Sequence, residues 1–214
     1  MAEFKDKDTW LKARKQDITG TAVSILFKLN PYSNIKTLYE EKILGKKTFF
    51  DSPAFLAGRI LEDAILNVLL EVYKIPFSRY NGLAYYRNEE HRLGATPDAH
   101  VKSKPKELIE CKSFKSTMLD AWEKEPPIYY LSQVHAQLTV VPDATLCYLI
   151  GLSKNMDFKV NTVLYRVTAD KEISDLILHT VKRFWDDPVA FDVNEADSAR
   201  IKELMGKSWK KIVK

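Results

Sequence analysis

Two cysteines are all that this 214-residue sequence contains. Cys111 and Cys147 each lie in an apolar, strand-like segment, so neither a disulfide framework nor a four-cysteine cluster can be assembled. Iron–sulfur and structural zinc sites are thereby poorly supported. Long apolar runs are missing too, and the opening stretch MAEFKDKDTWLKARKQD is polar and charged, unlike a secretory signal. The expectation is a soluble, intracellular protein without a membrane partner. Glycine (7) and proline (9) are sparse, and no low-complexity tract or fixed-period repeat is present, so disorder is expected only at the ends. An apolar content of 45% at this length supplies one sizeable core, and the reading is a single domain over residues 1–214.

Charge of one sign is also lacking. Lys and Arg number 33 against 29 Asp and Glu, a net +4 that identifies no partner. The distribution is more informative. Lys12, Arg14 and Lys15 cluster near the start, Lys102, Lys104, Lys106, Lys112 and Lys115 crowd the middle, and Lys207, Lys210, Lys211 and Lys214 close the chain. Local basic patches attract polyanions, although lysines that merely solvate loops and helix faces would look the same.

Helix signals dominate the first third. Residues 8–15 read as a helix capped by Asp8 or Thr9, ITGTAVSILFKLN as a second, capped by Thr19 or Thr21 and stopped by Pro31, and residues 36–44 as a third. SPAFLAGRILEDAILNVLLEVYK has Ser52 at the N-cap, Pro53 at the first helical position and apolar residues at spacings of three and four. GLAYYRN, HRLGATPDAHV and ELIECKSF then read as three strands in meander order. STMLDAWEK is a short helix before Pro126 and Pro127, YYLSQVHAQLTVV a further helix, ATLCYLIGLS and KVNTVLYRVT strands, and residues 170–186 an amphipathic helix. This order predicts an α/β fold with a mixed central sheet of about five strands flanked by helices.

In ELIECKSF, alternation puts Leu108, Glu110 and Lys112 on one face and Ile109 and Cys111 on the other. Asp98 follows Pro97, which cannot donate to a ladder, so pairing should break there and let Asp98 and Glu110 converge. Two converging carboxylates repel unless a cation lies between them, and oxygen donors favour Mg²⁺ over zinc. A neighbouring lysine can stabilise a pentavalent phosphate or help activate water, which is chemistry for cutting a phosphodiester. An ordinary ion pair of Glu110 with Lys112 or Asp98 is the competing reading. On the long helix, Glu62 falls on the stripe of Phe55, Gly58, Ile65, Leu66 and Leu69, opposite Asp63, Asn67 and Glu71. An acid there needs a partner. Gly58 would let a neighbour approach, and a snorkelling surface glutamate is the alternative. In YYLSQVHAQLTVV, Gln133 and Gln137 share a face with Tyr129 and Tyr130, while His135 points elsewhere and reads as a packed or surface histidine.

Asp98 in TPD, Glu110–Cys111–Lys112 as ExK and Glu62 upstream together resemble the PD-(D/E)xK nuclease superfamily. TWLKARKQDITGT resembles the W-x-x-x-R-x-x-x-I-T-(A/G)-(S/T) opening of the YqaJ-like viral recombinase family, also called lambda-exonuclease-like, and YYLSQVHAQLTV resembles its tyrosine–glutamine helix. The likeness spans residues 9 to 152. It implies a restriction-endonuclease-like core over 52–188, N-terminal helices within 1–50 that shape a DNA-end site, and a basic tail over 189–214. It implies a DNA exonuclease that degrades one strand of a linear duplex 5′ to 3′, leaving a 3′ strand for an annealing protein. Glu62, Asp98, Glu110 and the Cys111 carbonyl would hold Mg²⁺, with Mn²⁺ as the alternative ion; Lys112 would assist catalysis, and Gln133, Gln137 and Tyr130 would support the site. Arg14, Thr21 and Thr96 match the positions that anchor the 5′ phosphate. The family's second anchoring arginine is not in register, Lys115 being the nearest stand-in, and His135 replaces a glutamine of some members. Members often form rings, so a trimer is expected, in the cytoplasm of a bacterial host carrying a phage or prophage. The alternatives are a restriction-type endonuclease, a Cas4-like nuclease, against which the missing cysteines count, and an inactive DNA-binding module.

Overall fold

A computed structural model describes residues 2–4, 6–46, 53–80, 83–154 and 161–213. In chain order the elements are β1 (Ala2–Phe4), α1 (Lys7–Lys15), β2 (Ile18–Thr19), α2 (Gly20–Leu26), α3 (Ile35–Lys42), α4 (Pro53–Glu71), β3 (Phe77–Arg79) and β4 (Leu83–Asn88). They continue with β5 (Leu93–Ala95), β6 (Ala99–Val101), β7 (Lys104–Lys115), α5 (Leu119–Lys124), α6 (Ile128–Val140), β8 (Leu146–Lys154), β9 (Thr162–Thr168), α7 (Lys171–Asp186), α8 (Glu195–Lys207) and β10 (Trp209–Ile212). No helix among the described residues is long and apolar enough to cross a membrane.

Local chemistry sets the helix starts. Asp6, rather than Asp8 or Thr9, caps α1 by accepting from the Thr9 N–H at 2.8 Å. Asn34 does the same for α3 from Thr37. Thr19 holds the cap position of α2 without a side-chain cap bond, and α2 ends at Leu26, short of Pro31. Ser52 lies outside the described residues.

Two sheets form. The larger has the order β10-β9-β8-β7-β6-β3, one strand more than expected, and is mixed because β7 and β8 run parallel while its other pairs are antiparallel. The smaller has the order β1-β4-β5-β2. The expected three-strand meander is therefore divided between sheets. Its middle strand breaks over Thr96–Pro97–Asp98, so that β5 pairs with β4 and β2 while β6 pairs with β7 and β3. Pro97 has no N–H to offer a ladder, and the break is where the chain changes sheets.

Strand alternation sorts the core onto the two faces of the larger sheet. Leu108, Cys147, Leu149 and Tyr165 face a cluster built with α2, α6, α7 and α8, whereas Ile109, Cys111, Ile150 and Leu164 face Ile65, Leu66 and Leu69 of α4. The stretch expected as a basic tail is not one. Its α8 buries Ile201 and Met205 in the first cluster, and β10 pairs antiparallel with β9. The sequence signal that was overlooked is Asn194, whose side chain caps α8 by accepting from Ala196 and Asp197.

The Trp122 ring stacks on Phe114 at 4.6 Å between centroids, directly over Gly151. A Cβ at Gly151 would stand 2.7 Å from the Trp122 ring and 2.8 Å from that of Phe114. Gly151→Ala should therefore lower the urea midpoint, by about 1–3 kcal/mol of overpacking.

His135 is packed, only 1% exposed, as its position suggested. Its Nε2 lies 2.9 Å from the Ser208 hydroxyl, which itself donates to the Met205 carbonyl. The ring must therefore carry its proton on Nε2, and Nδ1 is buried without a partner among the described residues. Burial lowers the imidazole from 6.5 to about 4, against a small opposing pull from Asp170. The unfolded chain then binds more protons between those values, so the contribution is complete above pH 6.5 and is lost as pH falls toward 4. Urea titrations across this window should show wild type losing up to about 3 kcal/mol more than His135→Gln.

Candidate active site

Glu110 is 1% exposed, in the middle of β7. A carboxylate so far from water must be paired, and three side chains pair it. Gln133 donates its amide to Oε1 at 2.5 Å, Gln137 donates to Oε2 at 2.6 Å, and the Lys112 ammonium bonds Oε1. The glutamines lie one turn apart on α6, the spacing at which two side chains reach a single target. Gln137 also reaches the Thr96 carbonyl at 3.4 Å, and the Cys147 thiol lies 3.9 Å from its Oε1.

Asp98 lies at the point where the chain changes sheets. The Asp98 N–H donates to the Ile109 carbonyl, which closes the β6–β7 ladder. Beyond Ile109 no residue of β6 faces β7, and the Cys111 N–H donates instead to the Asp98 carboxylate at 2.7 Å. The ladder break thus brings this acid to Glu110. Burial and the Glu110 charge raise Asp98 well above the usual carboxylate range, against the pull of Lys112 and the Cys111 N–H. Burial acts against the Lys112 charge, but Glu110 and Asp98 outweigh it and hold the amine above its ordinary value. Lys112 is therefore a cation, its Nζ 5.1 Å from the centroid of the Tyr130 ring.

Glu62 approaches from α4. Its charge is felt at Asp98 and Cys111, yet its Oε1 is taken by Arg79 Nη1 at 2.6 Å while Nη2 of the same guanidinium binds Asp63. Its side chain is 28% exposed. Among the described residues nothing stands within 4 Å of a Cβ placed on Gly58, so none of them uses that glycine for a close approach. Asp63, Asn67 and Glu71 are exposed, as the wheel requires. Among the described residues no three of His, Cys, Asp and Glu stand together as a ready metal cluster. Asp98 and Glu110 nonetheless suit a hard divalent cation. They are buried oxygen donors whose mutual repulsion a cation would relieve.

Toward the amino terminus, Arg14 Nη1 lies 3.5 Å from the Thr96 hydroxyl, with the guanidinium over the Trp10 ring. Thr96 in turn donates to the Ala84 carbonyl. Thr21 is exposed, its hydroxyl 3.1 Å from that of Thr19. The α1–β2 junction is held by Asp17, fully buried, which accepts from the Tyr85 hydroxyl at 2.9 Å and pairs with Arg87 at 2.8 Å. Lys115 is exposed at the end of β7, and alternation puts it on the face opposite Glu110 and Lys112.

The pattern of the YqaJ-like viral recombinase domain matches residues 9–145, which takes in Arg14, Glu62, Asp98, Glu110, Lys112 and both glutamines. The chain belongs to that family. The fold agrees. An alkaline exonuclease from Laribacter hongkongensis superimposes with a TM-score of 0.65 at 16% identity, covering 94% of this chain and 99% of that one. The same exonuclease in complex with dAMP gives 0.68 at 17%, over 94% and 97%. A phage-related exonuclease from Haemophilus somnus 129PT gives 0.61 at 14%, over 81% and 95%. Curated proteins provide no match.

Seen as a member of this family, the chain brings Asp98, Glu110, Lys112, Gln133 and Gln137 together and puts Tyr130 beneath the lysine. It also joins Arg14 to Thr96. Glu62 is held aside by Arg79, a residue the sequence reading passed over because one arginine in a short strand carries no periodic signal. Asp17 was overlooked for a similar reason: its partners are about seventy residues away, as the Arg87 bond across 70 positions shows.

Gln137→Leu removes the donor to Glu110 Oε2 and leaves that oxygen buried. A hydrogen bond to a charged group contributes about 1.5–3 kcal/mol, and urea unfolding should register a loss of that size.

Proposed function

We propose that this chain is a Mg²⁺-dependent DNA exonuclease that degrades the 5′-phosphorylated strand of a linear duplex from its end, leaving a 3′ single strand. The reading rests above all on the buried Glu110–Lys112 pair beside Asp98, at the sheet break. An ion pair that served only stability would more economically be replaced by apolar side chains. Family membership and the exonuclease fold of the neighbours support the same class of enzyme.

In this reading Asp98, Glu110 and the Cys111 carbonyl would hold the cation, with Glu62, now paired with Arg79, as the further acid within the same region. A cation held there would supply Lewis acidity to the phosphate. Everything else belongs to the side chains. Gln133 and Gln137 fix both oxygens of Glu110, so the carboxylate does not reorient as charge develops nearby. Lys112, already a cation, stabilises negative charge on the phosphate rather than acting as the base. Arg14, Thr21 and Thr96 receive the terminal phosphate, whose extra charge favours a guanidinium with hydroxyls beside it. Lys115, facing away, is too poorly placed to serve as a second anchor. A single-strand annealing protein as partner and a ring of copies belong to the same reading.

Linear duplexes with 5′-phosphate or 5′-hydroxyl ends, and a closed circle, incubated with Mg²⁺ or EDTA, test it. The expected outcome is rapid loss of the phosphorylated strand in Mg²⁺ alone, an intact circle, and a rate at least about a hundredfold lower for Lys112→Ala. Nicked circles would overturn the exonuclease in favour of an endonuclease, equal loss of strands with 5′-phosphate and 5′-hydroxyl ends would overturn the 5′-end assignment, and binding without cleavage would overturn the enzyme.

A further inference from the structure

Lys42 carries an ammonium that the chemistry at Glu110 does not use, and water scarcely reaches it. The residue ends α3, and its side chain is 2% exposed. Burying an ammonium is unfavourable, and an apolar side chain of similar length would fill the space without that penalty. Its partners show what the charge is for. Nζ pairs with the Glu41 carboxylate at 3.0 Å and donates to the Arg14 carbonyl at 3.2 Å, across 28 positions of sequence. Burial lowers Lys42 from its ordinary value; Glu41 opposes that shift and the Arg14 charge adds to it.

The Arg14 carbonyl lies in the last turn of α1, where carbonyls have no partner within the helix. The Asp17 N–H reaches it at 3.4 Å and Lys42 at 3.2 Å. A cation there also faces the negative end of the helix dipole. That end, however, already carries Lys12, Arg14 and Lys15 from α1 itself. A buried lysine sent from another helix to the residue whose guanidinium stands at Thr96 is more than the helix end requires. Arg14 is itself half-buried over the Trp10 ring, and burial lowers it too, against the pull of Tyr85, Glu41 and Glu110. Two cations thus stand close enough to repel where water screens them poorly, and an anion arriving at Arg14 relieves that repulsion.

We propose that Lys42 is a positioning residue of the 5′-phosphate site, fixing the backbone of Arg14 and adding its own charge behind the guanidinium. The proposal rests on the reading that Arg14, Thr21 and Thr96 receive a 5′ phosphate, and extends it to a residue that does not touch that phosphate. The bond to the carbonyl sets where the guanidinium starts. The ammonium makes the region more favourable to a dianion than to a hydroxyl. Glu41 is its counter-charge while no anion is bound.

Fluorescence anisotropy in EDTA, which withholds the cation, compares short duplexes bearing 5′-phosphate and 5′-hydroxyl ends. Wild type should bind the phosphorylated duplex more tightly. Lys42→Met should reduce that preference by at least about fivefold, as removal of one nearby charge implies, and Lys42→Arg should keep most of it. A lysine that only capped α1 would lower the urea midpoint on removal and leave the preference alone. An unchanged preference in Lys42→Met, or a Lys42→Arg variant no better than Lys42→Met, therefore overturns the assignment. Should Lys42→Met not fold, Glu41→Gln, at a partly exposed position, decides instead. It unmasks the ammonium and should raise the preference; an unchanged or lower one overturns the proposal. If wild type binds both duplexes alike, the 5′-phosphate site fails and the role of Lys42 with it. If wild type prefers the phosphate and Lys42→Met prefers it equally, Lys42 alone is misassigned.

Discussion

A carboxylate with almost no access to water, Glu110, is the constraint around which the protein is arranged. Two amides and an ammonium surround it there and satisfy its oxygens. Those donors fix the geometry of neighbouring elements. The glutamines require α6 to lie against β7 with one particular face, and Lys112 requires the same strand to present alternate residues to the same side. The aromatic packing behind Tyr130, down to Trp122 over Gly151, then supports the lysine. Polar interiors of this kind are costly when partly satisfied, so the elements have little freedom to slide.

The second constraint is an interruption. Pro97 sits where a continuous strand would have carried the ladder on, and the chain uses the gap to pass from the smaller sheet to the larger. The Cys111 N–H, deprived of a strand partner, takes the Asp98 carboxylate instead. One local defect therefore achieves two things: it links the sheets, and it fixes an acid beside Glu110. Burial, and after it the repulsion between these acids, raises the protonation range of Asp98, and that repulsion gives the proposed cation its reason to bind.

Around this centre the charges are divided by element. Arg14 reaches Thr96 from the α1 side, Arg79 holds Glu62 from β3, and Lys112 stays between them on β7. Cationic groups thus approach the acids from several directions, which suits a substrate that carries phosphates on both sides of the bond to be cut.

Much of this was legible along the chain. Period-two alternation put Glu110 and Lys112 on one face, helical spacing put Gln133 with Gln137, and Pro97 marked the broken ladder, because these depend on bond geometry and near neighbours. The motifs added the family. The sequence was silent wherever the deciding partner is remote. A single strand was read over residues 91–101 because nothing local says that its halves join different sheets. Residues 189–214 were read as a tail because their lysines hid the apolar positions of α8 and the pairing of β10. The hold of Arg79 on Glu62 and the Asp17–Tyr85–Arg87 cluster likewise depend on which segments meet. Spacing fixes what a residue can face; only the folded chain decides what stands there, since charge pairing and stacking act through space rather than along the backbone.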